Sequence, residues 1–182
     1  MPDAALGLRV HSGWAALVAV SGMPHSFEVI DRRRIAVIDP AMPGAKQPYH
    51  YAEQMELRAA EEHLAKCSGV AERMAFTNLG DAIRALAERD YQVTGAAIVL
   101  AAGRPLPDLA RILASHALIH TAEGEFFRAC FLRAGERLGI RVTGIRERDL
   151  TESLAPQRPP GPPWTQDQKL AAAAACQVLL AS

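Results

Sequence analysis

The segment VTGAAIVLAAG, residues 93–103, limits the fold more than any other stretch of the chain. It is a short β-rich run ended by Gly103, and it is apolar at successive positions, so both faces of the strand it forms need cover. A strand of that kind belongs inside a sheet with helices on each side. The flanking segments supply those helices. From about Tyr49 to Arg89 the apolar residues recur at helical period, with Leu57, Ala60, Leu64, Met74, Ile83 and Leu86 on the buried face, and CSGV at 67–70 is expected to divide the stretch into two helices. A further helical segment is predicted near residues 106–115. Another runs through EGEFFRACFLRAGERLG, where Phe127, Cys130, Phe131, Ala134 and Leu138 share a stripe and Gly139 takes the C-cap.

The remaining strands come from short apolar runs. LGLRV and WAALVAV are separated by the turn-forming HSG, which predicts an antiparallel hairpin. After SGMPHS, the segment FEVIDRRRIAVID gives a third strand, ended by Pro40, Pro43 and Gly44. IRVTGI is the last strand. APQRPPGPP, residues 155–163, is too rich in proline for a helix or interior strand and reads as a surface connection, or alternatively as a polyproline ligand. The helix TQDQKLAAAAACQVLLA then has to dock after it.

Three hairpin-linked strands followed by helix, strand, helix, strand, helix make a mixed five-stranded α/β sheet with helices on both faces. At 182 residues and 49% hydrophobic composition, one domain spanning 1–182 suffices. Twenty basic residues balance twenty acidic ones, so no global field holds a nucleic acid or an anionic membrane. WAALVAV is too short for a membrane span or a signal sequence. Cys67, Cys130 and Cys176 fall in three different helices without metal-ligand spacing, which fits core thiols of a cytoplasmic protein.

This element order resembles the ribonuclease H-like superfamily, and LGLRVHSGWAALVAV looks like the first hairpin of its bacterial Holliday-junction resolvase branch: a strand, a small-residue turn and a Gly-aromatic pair. The resemblance implies carboxylates in the first strand, near the end of the fourth strand and on the last helix, holding two divalent cations for nucleic-acid hydrolysis. Here the first strand offers Arg9 where an acid is wanted. The fourth strand ends in LAAGR, and only Asp167 near the start of the last helix matches. Asp31, Asp39, Glu123 or Glu125 would have to rebuild such a site by another route.

In the sheet so predicted, the first, third, fourth and fifth strands run the same way, and ligands of open sheets bind at the shared C-terminal edge. His11 and Ser12, Asp39, Arg104, Arg146 and Glu147 converge there, with HTAEGE opening the helix after strand four, while His25 belongs to the opposite edge. His116 and His120, four apart on a helix, are candidate metal ligands, with Asp167 as a carboxylate partner. His11, His120, Glu123 and Glu125 are the candidate catalytic set, a glutamate serving as general base. Arg104 and Arg146 could hold an anionic cofactor, although two glutamates in the first helical turn oppose a phosphate. Thr121 followed by Glu123 and Glu125 is equally good helix N-cap chemistry. In DRRR, Arg32 and Arg34 share a face and could meet phosphates, or form a solvated strand edge. Trp14 and Trp164 read as packing residues.

Two functions of different classes fit. One is a ribonuclease H-like domain without the two-metal centre, serving as a binding or assembly module for nucleic acid or a nucleic-acid-processing protein. The other is an atypical nuclease or hydrolase built on the His/Glu cluster. A nucleotide-binding fragment of the actin-like kinase branch is a third, weaker fit, since the second lobe of that branch is not in this chain. A divalent metal is the one cofactor for which ligands are at hand, and the helical stretch 49–89 offers a homodimer face.

Overall fold

A computed structural model describes every residue except 25, 102–104, 152, 153, 155, 157–159 and 182. Its strands are β1 (Asp3–His11), β2 (Trp14–Ser21), β3 (Glu28–Ala36), β4 (Gln92–Leu100) and β5 (Val142–Arg146). Its helices are α1 (Pro48–Ala52), α2 (Leu57–Ala87), α3 (Leu109–Leu113), α4 (His116–Arg137) and α5 (Gln166–Leu180). The sheet order is β3-β2-β1-β4-β5. β1, β2 and β3 pair antiparallel in sequence, whereas β4 lies parallel to both β1 and β5. The mixed sheet and its strand directions are therefore those the sequence predicts.

The hairpin closes as its composition requires. His11 pairs with Trp14, and Gly13 at φ +81° supplies the left-handed residue that the two-residue turn needs. β1 is the central strand, and its alternation divides the core into two layers. Leu6, Leu8 and Val10 join Ala71, Leu79, Phe127 and Phe131 beneath α2 and α4. Ala5 joins Val18, Ala97, Val99 and the alanines of α5 on the other face. Helix α5 lies flat there because Ala171–Ala175 are all buried, and Thr165 and Gln168 fix its start with a reciprocal capping box. Trp164 packs beside this layer. No described helix is long and apolar enough to cross a membrane.

Three local expectations give way. CSGV does not divide the second helical stretch: α2 runs unbroken for 31 residues. A helical glycine costs only about 1 kcal/mol against alanine, and here Cys67 and Ala71 are buried on either side of Gly69 while Ser68 Oγ donates to Glu72 Oε1 at 2.7 Å. The predicted start at Tyr49 belongs instead to the separate short helix α1, and α2 begins after Glu56, whose carboxylate accepts from the Arg58 and Ala59 amides. Finally, Thr121 is not an N-cap. Helix α4 starts five residues earlier, after Ser115, and the Thr121 hydroxyl donates to the Ala117 carbonyl at 3.1 Å inside the helix.

Candidate functional site

Two polar clusters stand at the ends of these elements, on opposite faces of the sheet. The first grows from β1. Positions 5, 7, 9 and 11 point to the α5 face, so Arg9 and His11 follow the small residues Ala5 and Gly7 toward the first turn of α5. Arg9 Nη2 lies 3.2 Å from Glu147 Oε2, just beyond β5, and its Nε lies 3.8 Å from Asp167 Oδ1. His11 Nε2 is 3.1 Å from the same Asp167 oxygen, and its ring stacks on Trp14 at 4.5 Å. Arg9 Nε and His11 Nε2 are buried without a hydrogen-bond partner, so both stand close to the Asp167 carboxylate without a directional bond. Asp39 is absorbed in its own turn, accepting the Ala41 amide at 2.9 Å. Arg146 is exposed at the end of β5, while Arg104 and His25 lie outside the described residues.

The second cluster joins α1 to α4. His116 and His120 occupy successive turns of α4, with their Nε2 atoms 3.0 Å apart. His50 of α1 turns its ring edge-on to both, at centroid distances of 5.4 and 4.7 Å. One nitrogen from each of the three imidazoles lies within 4.8 Å of the other two. Glu123, one turn beyond His120, is 4% exposed. Its Oε1 accepts the Tyr49 amide at 2.9 Å, the His50 amide at 3.1 Å and His50 Nδ1 at 3.1 Å. Burial raises the Glu123 carboxyl above the usual carboxylate range, although the hydrogen bonds from His50 and Tyr49 pull it back. The Tyr49 phenol is raised in turn, by burial and then by the Glu123 charge.

The candidate residues read from the sequence thus separate. His11 and Asp167 stand together in the first cluster, while His116, His120 and Glu123 stand together in the second. Asp167 is not a partner of the two histidines; it is committed to Arg9 and His11 because α5 covers the opposite face from α4. Glu125 points away from Glu123 and pairs with Arg128 Nη2 at 2.6 Å, since the two glutamates are only two residues apart on a helix. His50 is the residue that sequence reasoning does not find. Pro48 at the start of a short helix is its only local signal, and its partners lie 73 positions on.

The other groups singled out in the sequence have structural partners. Arg32 donates to the Gly161 carbonyl at 2.9 Å and the Pro163 carbonyl at 2.5 Å, Arg33 pairs with Asp31, and Arg34 lies 4.0 Å over the Trp14 ring. The basic cluster is therefore an edge strand tied to its own fold. Burial pushes the Cys130 thiol up to about 11 and the Cys176 thiol up to about 12, which leaves neither as a nucleophile at neutral pH. A hollow of about 400 Å³ lined by Met42, Tyr51, Met55 and His63 opens beside α1, and none of the three clustered histidines lines it.

No protein-family model matches the sequence, and no curated protein matches it. Solved structures do match in shape. RuvC of Thermus thermophilus in complex with Holliday junction substrate superposes with a TM-score of 0.54 at 11% identity, covering 96% of this chain and 90% of that one. A second structure of the T. thermophilus RuvC gives 0.53 at 12% identity, with 95% and 91% covered. The Aquifex aeolicus PPX-GPPA enzyme follows at 0.34 and 10% identity, with 84% of this chain and 38% of that one covered. The identities are low and the coverage nearly complete, so what the likeness establishes is the architecture: the chain has the ribonuclease H-like fold, in the form seen in RuvC.

Proposed function

We propose that this ribonuclease H-like domain does not cut nucleic acid by the two-metal route, and that it works as a binding or assembly module connected with nucleic-acid processing. The observation that carries this reading is Arg9. A two-metal centre needs several carboxylate oxygens facing one another, with nothing cationic between them. At the end of β1 the guanidinium of Arg9 stands between Glu147 and Asp167, and His11 adds a second group to Asp167. A fixed cation in that position neutralises the acids and repels an incoming Mg²⁺ or Mn²⁺. Support for the link to nucleic acid comes from the fold, whose neighbour RuvC is solved with a Holliday junction substrate. With no net charge on the chain, binding would rest on shape and a few local contacts rather than on a strong field.

The experiment is to follow labelled four-way-junction and linear duplex DNA with the purified protein in Mg²⁺ or Mn²⁺, by denaturing gel for cleavage and by anisotropy at low salt for binding. Retention of intact DNA, with tighter binding of the junction than of the duplex, is the expected result. Cation-dependent nicking that Asp167→Asn abolishes would overturn the reading of the strand edge, and equal or absent binding of both DNAs would overturn the nucleic-acid link.

A further inference from the structure

We propose that His50, His116 and His120 form a mononuclear transition-metal site for Zn²⁺ or a similar borderline divalent ion such as Co²⁺, with Glu123 as the carboxylate that orients His50. This site is separate from the strand-edge cluster and does not rest on the reading given for it.

The geometry of the three imidazoles comes first. An ion that binds nitrogen at about 2.0–2.1 Å in a tetrahedron holds its ligand nitrogens roughly 3.3 Å apart. The Nε2 atoms of His116 and His120 are 3.0 Å apart, so a shift of a few tenths of an ångström opens the pair to the correct bite. The third imidazole is already within 4.8 Å, and it comes from a different element, which makes the group convergent rather than an accident of i, i+4 spacing. Without an ion, two imidazole nitrogens this close must share a proton or repel each other's lone pairs.

The second line of argument is what stands behind His50. In protein metal sites a ligating histidine usually gives its other ring N–H to a carboxylate or carbonyl, which fixes both tautomer and ring orientation. Glu123 Oε1 does this at His50 Nδ1, which leaves Nε2 as the ring nitrogen open to an ion. The carboxylate is itself held by two backbone amides, so it cannot swing away. Glu123 is also one of the few buried charged groups of the fold, and its second oxygen, Oε2, is buried with no hydrogen-bond partner. A dication on His50 would supply the compensating positive charge that the present neighbours lack.

The donor set selects the ion. Three imidazoles with no carboxylate among the ligands suit Zn²⁺, Co²⁺ or Ni²⁺ and disfavour Mg²⁺, Mn²⁺ and Ca²⁺, which want oxygen. His116 and His120 are exposed, so a fourth coordination position faces solvent. Three protein ligands with one open position is the pattern of reactive zinc sites, whereas structural sites close all four.

The test uses the full chain, stripped of metal by chelator and dialysis, and titrated with Co²⁺ under optical detection and with Zn²⁺ against a chromophoric chelator. One equivalent of Co²⁺ should bind with the intense visible bands of a tetrahedral site. His120→Ala and His116→Ala should each abolish those bands, and Glu123→Gln should weaken Zn²⁺ binding 10–100-fold. Asp167→Asn should leave binding unchanged, because that acid belongs to the other cluster. Circular dichroism of each variant separates loss of ligand from loss of fold, and the two α4 histidines, being exposed, can be removed without opening the core. Absence of saturable binding by the parent chain, or Zn²⁺ affinity that survives both α4 substitutions in folded protein, would overturn the proposal.

Discussion

Glu123 Oε1 and His50 Nδ1 lie 3.1 Å apart, across a join between two helices that the sequence separates by 73 positions. The same oxygen takes the Tyr49 and His50 amides, so one buried carboxylate anchors the whole of α1 to α4. Glu123→Ala would leave these donors without an acceptor, and the expected cost is about 1–3 kcal/mol of stability. Glu123→Gln keeps an acceptor oxygen and should cost less. Urea unfolding of the three proteins checks the order; an alanine variant as stable as the parent would show that α1 is held by packing alone.

Glu123 and Glu72 should pull the pH dependence of stability in opposite directions. Burial raises the Glu123 carboxyl, so between its unfolded value near 4.5 and its higher folded value the native state holds the proton more tightly. Stability from that source is full at lower pH and declines as pH rises through the folded value. At Glu72 burial also pushes upward, but hydrogen bonds from Ser68 and Arg133 and the charges of Arg133 and Arg137 outweigh it, and the carboxyl ends below 4.5. Its contribution is present above the unfolded value and is lost as pH falls through the folded one. Urea midpoints followed from about pH 3 to 7 should therefore show Glu72→Gln flattening the acid limb. Glu123→Gln should flatten the decline on the other side.

Arg9→Asp would replace the cation between Glu147 and Asp167 with a third carboxylate. Partly exposed ion pairs contribute about 0–1 kcal/mol, so the variant should remain folded despite losing its contacts. Calorimetry should then register Mn²⁺ binding that the parent protein lacks. A folded variant that still ignores Mn²⁺ would mean that the strand edge lacks the geometry of a metal site as well as the charge.

Gly7→Ala tests the contact between β1 and α5. A Cβ at that position would fall 1.7 Å from the Ala171 carbonyl oxygen, which is backbone and cannot rotate aside. Overpacking of this kind typically costs about 1–3 kcal/mol and occasionally more, and an unyielding neighbour puts this site at the upper end. Thermal unfolding should show a large drop, and a variant within a degree of the parent would mean that α5 can lift from the sheet.

The parts of the molecule that were legible in the sequence are those whose signals are local. The hairpin announced itself because HSG sits between two apolar runs, and β4 because a strand apolar on both sides has only one stable environment. Helix limits were less legible, since Gly69 and Thr121 carry the same propensities whether tertiary packing overrides them or not. The histidine pair was visible at its i, i+4 spacing. Its completion by His50 was not, because that contact depends on how the chain between β3 and α2 is laid across α4, and no pattern within PYHY encodes it.

The place of β1 in the sheet has a consequence for synthesis. Residues 3–11 are made long before residues 166–180, yet they sit between β2 and β4, and their second face is covered by that last helix. On the ribosome the opening hairpin carries an apolar surface that nothing nearby in sequence can shield. Contacts of such long separation form late and leave the growing chain prone to aggregation. The demand falls on whatever attends the nascent chain, which must guard that surface until the alanine helix arrives.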